Sequence, residues 1–305
     1  MNSDSTMNKP DFIIIGAMKS ATSSLAEQLS KQSGVFMTDI KEPNFFSNDE
    51  IYDKGESWYS SQFDKAEASD IKGEASTHYT KLPKYPHTLE RLKSYCPNAK
   101  FIYVMRHPID RLVSHFAHNW TTGDFKRNMP IEAAIKGYPP LVEYGLYRKQ
   151  LDPWIQEFGL ERILPVFFDR LLAEPQQEFE RISKFIGIEG AIVWNEERGT
   201  NLSANRYRRL PFQEIVVESA FFTMLRRALI PKSLRDAIRN RRSSGINANL
   251  SESSIAELEQ TFNKDLSELG KLLGIDLNCG NFKKLTKRSS LEWKAVNVSP
   301  KTRSD

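Results

Sequence analysis

The sequence predicts an α/β fold: a mainly parallel central sheet flanked by helices. Three observations carry that reading. Short runs of apolar, largely β-branched or aromatic residues recur near Phe12, Val35, Ile71, Phe101 and Ile163, each of strand length. Helical patterns separate them, and such alternation buries a parallel sheet between layers of helices. The runs at Phe12–Ile15 and Lys100–Met105 each lead at once into a turn and a helix start with a cation beside it. Ligands of open α/β sheets bind at the carboxyl ends of the strands, where the N–H groups and dipole of a helix N-terminus favour anions.

The chain has 305 residues, 39% apolar and 27% charged, values of a soluble globular protein. We expect a flexible tail over 1–10, a single domain over 11–282, and a polar, basic tail over 283–305. Cys96 and Cys279 are too few for a disulfide framework or a metal motif, so reduced thiols are expected. The N-terminus has no signal-peptide pattern, and no run of about 18 apolar residues occurs, so a cytoplasmic protein without a membrane span is expected. The net charge of +4 is uneven: residues 206–242 hold ten Lys/Arg against three Asp/Glu. Such a segment fits an anionic partner or a solvated helix face. No nucleic-acid motif accompanies it, so a nucleic-acid partner is not expected.

The first anion loop lies in DFIIIGAMKSATSSL, Asp11 to Leu25. Gly16 permits a tight turn out of the strand. Lys19 adds a full positive charge, and Ser20, Thr22, Ser23 and Ser24 add hydroxyls ahead of a helix through Leu29. The Walker pattern G-x-x-x-x-G-K-[ST] does not fit, because Lys19 stands three residues after Gly16 and no Gly-Lys pair follows. The spacing G-x-x-K-x-x-T-S-x-L instead resembles the 5′-phosphosulfate loop of the sulfotransferases that use 3′-phosphoadenosine 5′-phosphosulfate (PAPS). The resemblance implies a P-loop-like three-layer fold, PAPS as donor, the 3′,5′-bisphosphate PAP as product, and no metal. It places Lys19, Ser20, Ala21, Thr22, Ser23 and Ser24 around the donor. Ala21 stands where that family has Gly. Ala tolerates a left-handed backbone poorly, so an ordinary backbone at Ala21 or a slightly displaced loop is expected.

Val35–Met37 is a short strand, followed by Lys41-Glu42-Pro43-Asn44-Phe45-Phe46. Pro43 pushes Glu42 towards an extended conformation. The segment resembles the K-E-x-H-F-F motif of heparan sulfate N- and 3-O-sulfotransferases, which implies that Glu42 is the general base. An ordinary ion pair with Lys41 is the alternative. Asn44 replaces the family histidine; it can hydrogen-bond a sugar hydroxyl but takes no proton at neutral pH. Trp58, Tyr59 and Phe63 follow, either packing against this loop, the favoured reading, or forming a sugar-facing aromatic wall. IKGEASTHYT, Ile71 to Thr80, gives a strand and a loop that resembles the G-E-A-S/T-P-x-Y segment of bacterial sulfotransferases. Lys41, Asn44, Glu74 and His78 are therefore acceptor-site candidates, and His78, whose neutral imidazole suits proton removal near pH 7, is the second candidate base.

Tyr85–Tyr95 reads as a helix. After the Lys100–Met105 strand, Pro108 sits at a favoured first-turn position of the next helix. Arg106, Pro108, Arg111 and Ser114 stand in register with the family's 3′-phosphate motif R-x-P-x-x-R-x-x-S. Arg106 offers a planar fork to phosphate oxygens and Ser114 a hydroxyl. His115 and His118 lie one helical turn apart without an evident carboxylate partner, and read as surface or core residues. Tyr147 opens a segment resembling the family's G-x-Y-x-x-x-L-x-x-W-L; it either touches the donor or packs in the core. Pro175–Ile186 reads as an amphipathic helix on the sheet, and Ser251 as the cap of a last one through Leu273. Arg206, Arg208 and Arg209 fall in a segment resembling the loop that covers the family's donor.

These readings add up to sulfuryl transfer from PAPS to a hydroxyl or amine, with a carbohydrate as the expected acceptor. A small lipid or natural-product alcohol is the alternative acceptor. A kinase-like or non-catalytic nucleotide-binding protein is the alternative of another class.

Overall fold

The computed structural model describes residues 8–195 and 247–294. Strand β1 (Phe12–Gly16) leads into α1 (Thr22–Ser30) and then β2 (Val35–Met37). Short helices α2 (Asp49–Tyr52) and α3 (Glu56–Ser61) precede β3 (Ile71–Ala75) and a 3₁₀ turn, Thr77–Thr80. Helix α4 (Thr88–Tyr95), strand β4 (Lys100–Met105) and helix α5 (Pro108–Thr122) follow. Next come α6 (Ile131–Gly137), α7 (Pro140–Glu143), α8 (Tyr147–Phe158), β5 (Ile163–Phe167), α9 (Phe168–Ala173) and α10 (Pro175–Ile186). Two helices complete the described chain, α11 (Glu252–Leu273) and α12 (Phe282–Arg288).

The five strands form one sheet in the order β2-β3-β1-β4-β5, and every pairing is parallel. Side chains alternate across a strand, so β1 and β4 feed two cores. Phe12, Ile14, Ile102 and Val104 pack with Leu25 and Leu29 of α1 and Phe179 and Ile182 of α10. Ile13, Ile15, Phe101 and Tyr103 face the other way, onto Phe116 of α5, Trp154 of α8 and Phe262 of α11. Both faces are covered, which is why the central strands read as unbroken apolar runs rather than alternating ones.

Three expected boundaries shift. Helix α4 begins at Thr88, not Tyr85: Pro86 lies ahead of it, and the Tyr85 ring stacks on His78 at 4.8 Å. The stretch from 283, expected as a tail, is folded as far as residue 294. Trp293 Nε1 donates to Ile163 O at 2.5 Å, Ser290 Oγ to Glu178 at 2.7 Å, and Glu292 pairs with Arg181 at 2.9 Å. A basic stretch folds here because one indole and two polar anchors dock it on β5 and α10. At the other end Asn8 N donates to Ser60 Oγ at 2.8 Å and Pro10 is buried, so the N-terminal tail is docked from Asn8.

Candidate active site

The loops after β1, β2, β3 and β4 leave neighbouring carboxyl ends of the sheet, and the chain reverses its direction of winding at β1. The first carries Lys19, the second Glu42, the third His78 and the fourth Arg106. A crevice at such a reversal point is where this architecture binds ligands.

The donor loop is held by close backbone approach. A Cβ on Gly16 would meet Thr80 Oγ1 at 2.2 Å and the Tyr103 ring at 2.9 Å, so only glycine lets the 3₁₀ turn close over β1. Thr80 Oγ1 donates to Ile15 O at 2.8 Å and completes that join. Beyond it Lys19 has φ 70° and Ala21 φ 71°, both left-handed. Ala21 is the N-cap residue of α1, with ψ 21°, and no side chain caps the helix. The ordinary backbone expected at Ala21 is therefore not found: the chain adopts the glycine-like turn with alanine and bears the steric cost. The first amides of α1, at Thr22, Ser23 and Ser24, stay at the crevice end of the helix, where the dipole favours an anion. Ser20 is fully buried and Thr22 nearly so, while Ser23 and Ser24 are half-buried.

Glu42 and Asn44 both have φ 53°. The extended conformation expected of Glu42 ahead of Pro43 is not found, because tertiary hydrogen bonds override the local preference. Thr77 Oγ1 donates to both Glu42 carboxylate oxygens, at 3.2 and 3.1 Å, and Asn44 N donates to Ser76 Oγ at 3.0 Å. Among the described residues Lys19, Ala21, Glu42 and Asn44 are the only non-glycine residues with positive φ. All four lie on the two loops that face each other across the crevice. Strain of about 1 kcal/mol or more per residue persists where surrounding structure over-determines it, as at ligand sites. Lys41 is exposed at the rim, and no ion pair joins it to Glu42 among the described residues.

Glu74 does not reach an acceptor. It is 0% exposed and accepts hydrogen bonds from Tyr59 OH at 2.7 Å, Ser76 Oγ at 2.7 Å and Tyr79 OH at 2.8 Å. Its work is structural: through Ser76 it fixes the amide of Asn44, and so the loop of Glu42. Burial pushes its carboxyl up to about 7 against the pull of those three donors. A carboxyl raised above its ordinary range contributes stability that is fully present below about pH 4.5 and lost as pH rises through 7. Thermal unfolding of the wild type is expected to show a loss of up to about 3 kcal/mol between pH 5 and 8. A Glu74→Gln variant should lack that loss; parallel pH profiles for the two proteins would remove Glu74 as its source.

His78 stacks on Tyr85, and its pKa falls to about 3 through burial, helped by Lys81 and Lys84. The lowered pKa favours its neutral form and makes it a weaker base than an ordinary imidazole. Arg106 leaves β4 with its guanidinium over the Phe168 ring at 4.7 Å and Nη1 directed to Lys19 O at 3.5 Å. Its Nε is buried and has no hydrogen-bond partner among the described residues. Ser114 is buried on α5, on the same side of the sheet as Arg111. Tyr147 lies beneath the crevice, not in it: its hydroxyl donates to Arg106 O at 2.5 Å and accepts from Arg106 N at 3.2 Å. It holds the arginine backbone rather than a ligand. Arg206, Arg208 and Arg209 lie outside the described residues.

His115 is buried and stacks on Tyr144 at 5.8 Å, with Nδ1 3.4 Å from Arg111 Nη1, so it belongs to the core. No group of three His, Cys, Asp or Glu side chains able to hold a metal occurs among the described residues. No helix among them is long and apolar enough to cross a membrane.

A cavity of about 400 Å³ lies between the start of α1 and the Glu42 loop, with Thr22, Ser23 and Ala26 of α1 on one wall and Met37, Lys41 and Glu42 on the other. Lys81, directly after the Thr77–Thr80 turn, is only 7% exposed, a burial that sequence reasoning missed. A lysine two residues before a proline carries no local sign of burial.

A parallel sheet with two cation-bearing loops at its carboxyl edge and no Walker sequence defines an anion-binding α/β protein of the P-loop-like class. Residues 9–212 match the family model of the sulfotransferase domain, and the chain belongs to the sulfotransferase family. It is 29% identical over 190 residues to heparan sulfate glucosamine 3-O-sulfotransferase 6 of Mus musculus, across 60% of this chain and 54% of that one. It is 28% identical over 195 residues to heparan sulfate glucosamine 3-O-sulfotransferase 5 of Homo sapiens, across 61% and 55%. The chain thus spans about half the length of the curated relatives it matches. The crystal structure of a sulfotransferase from Alicyclobacillus acidocaldarius shares the fold, with a TM-score of 0.59, 22% identity, and coverage of 88% of this chain and 97% of that one.

Proposed function

We propose that the protein transfers a sulfuryl group from PAPS to a hydroxyl or amine of a carbohydrate, with Glu42 as general base. The observation that carries this is the shared cavity: Glu42 and the start of α1 open into the same space from opposite walls. The residues present fit the donor. An uncapped helix N-terminus, Lys19 and a half-buried arginine whose buried Nε has no partner among the described residues suit a molecule with anionic groups at two ends. When bound, PAPS supplies a sulfuryl group on a good phosphate leaving group.

The chain's own residues do the rest. Arg106 and Ser114 hold the 3′-phosphate, and the α1 amides with Thr22 and Ser23 hold the 5′ end. Glu42 takes the acceptor proton as the acceptor atom attacks sulfur in line. The sulfur–oxygen bond to the phosphate breaks, and Lys19 with the α1 amides stabilises the charge left on that oxygen. This is catalysis by positioning and preorganised charge. His78 is less fit for the base role because its depressed pKa leaves it little affinity for a proton.

A carbohydrate acceptor is supported by the Lys41-Glu42-Pro43-Asn44-Phe45-Phe46 segment and by the heparan sulfate enzymes among the relatives. Incubation with ³⁵S-labelled PAPS and a panel of glycans, sterols and simple alcohols tests it. Label in a glycan, with none in the alcohols, is the expected result. Label in a lipid or small alcohol alone would replace the carbohydrate reading.

A further inference from the structure

The cavity that holds Glu42 is wider than the base alone needs. One wall runs on from the start of α1 along that helix to Ala26, Glu27 and Ser30. The other follows the chain that leaves β2, from Met37 to Lys41. At about 400 Å³ the space is within the range of sites that take a small ligand, so a sugar residue fits beside the reacting atoms. The second wall is firmly placed. Thr38 N donates to Gly73 O at 3.1 Å, one residue past the end of β2, and Thr38 Oγ1 donates to Ile40 O at 3.1 Å. That turn presents Asp39 and Ile40 to the cavity.

The lining has two characters. Ala26, Met37, Ile40 and Ala75 give an apolar surface, and Ile40, 44% exposed, is one of three large apolar side chains so exposed among the described residues. An apolar side chain left open inside a site is a platform for the C–H face of a ligand. The second character is acidic: Glu27, Asp39 and Glu42 line the cavity with a single lysine, Lys41. Glu27 pairs through Oε1 with Lys31 at 3.2 Å and Asp39 through Oδ2 with Lys65 at 2.5 Å, and neither of those lysines lines the cavity. Each pair uses one carboxylate oxygen. The other oxygen can accept from a hydroxyl, in the stronger, charge-assisted kind of hydrogen bond. The lysines offset much of the carboxylate charge, so the walls accept hydrogen bonds without forming a trap for cations. A carboxylate or sulfate entering the cavity would meet these oxygens at close range, and like charges set against each other exclude a wrong ligand.

We propose that the acceptor is an uncharged sugar and that Glu27 and Asp39 select it. Their carboxylates accept from its hydroxyls and turn away glycans that carry carboxylate or sulfate groups there, while its C–H face lies on Ile40. The proposal rests on the carbohydrate reading of the same site and narrows it. Heparan sulfate, for which the relatives are named, is a polyanion; the acceptor inferred for this chain carries no such charge. The transfer step is unchanged. A sugar oxygen bonds to sulfur as its proton passes to Glu42, and the sulfur–oxygen bond to the phosphate breaks.

One glycan in two charge states tests this. Heparosan carries a carboxylate on alternate sugars, and carboxyl-reduced heparosan is the same backbone without charge. Transfer from ³⁵S-labelled PAPS is measured to both, and to a set of neutral and uronate-bearing oligosaccharides, with calorimetry of PAP binding alongside. The neutral forms are expected to take at least ~10-fold more label than the anionic ones. In a Glu27→Gln, Asp39→Asn double variant that ratio should narrow by at least ~3-fold, because the repelling charges are gone. In wild type it should narrow as salt rises from about 0.05 M to about 0.5 M, because screening shortens the reach of exposed charges. Equal or greater labelling of the anionic forms, or a ratio that the substitutions leave unchanged, would overturn the proposal. If the double variant does not fold, the salt series decides, and a ratio that salt leaves unchanged overturns it. Label in lipids or small alcohols alone, or in nothing while PAP binds, would instead overturn the carbohydrate reading, and failure to bind PAP would overturn the donor reading.

Discussion

Glu42→Gln is expected to lower the rate of transfer by about 10³-fold while leaving PAP affinity within a few-fold of wild type. The replacement keeps the shape of the side chain and removes only its ability to take a proton. Thr77 Oγ1 can still donate to the amide oxygen, so the left-handed loop keeps one of the bonds that hold it. Glutamine bears the same backbone strain as glutamate at φ 53°, so the variant adds no new steric cost. Turnover of labelled PAPS on an acceptor from the panel gives the rate, and calorimetry with PAP gives the affinity. Retained turnover would take the base role away from Glu42. Loss of PAP binding along with turnover would mean that the substitution had disturbed the donor site instead.

Lys19→Met is expected to fail in a different way. Lys19 acts on the leaving phosphate, which exists in both donor and product, so both quantities should fall: transfer by about 10²- to 10³-fold and PAP affinity by about 10-fold. Met keeps the length and apolar stem of lysine, and any L-residue there bears the same cost at φ 70°. The contrast between the two variants is the useful result. A Glu42 that only shapes the donor site would give the Lys19 pattern, and a Lys19 that only packs would leave PAP affinity unchanged.

The positions that the sequence made legible are those set by local rules. All five strands lie where short apolar runs predicted them, because central parallel strands are buried on both faces and must read as continuous apolar stretches. The places of Lys19 and Arg106, just past the ends of β1 and β4, were legible because an apolar run, a turn and a helix start follow one another in the sequence. Ser251 was legible as a cap, and its Oγ accepts from Ser254 N at 3.3 Å.

Glu74 was misread, and Tyr147 left open, for one reason. Sequence shows which chemistry a side chain carries, but not whether a neighbour distant in the chain will close over it. Glu74 looked like a ligand for an acceptor and is instead enclosed by Tyr59, Ser76 and Tyr79. Tyr147 was left between donor contact and core packing, and is a buried brace for the Arg106 backbone. The stretch from 283 read as a polar, basic tail, and Trp293 anchors it to β5.

The sequence alone determined the class of chemistry: two separated cation-bearing turns, each at the end of an apolar strand, and a carboxylate on a third. Their spacing follows from bond geometry and helix rise, which act within a few residues. Only the folded chain decided which groups share the crevice and in what state. The left-handed turns at Ala21 and Glu42, the raised pKa of Glu74 and the burial of Lys81 all depend on contacts between segments tens of residues apart. Burial and long-range hydrogen bonds are sums over neighbours that no local stretch of sequence contains.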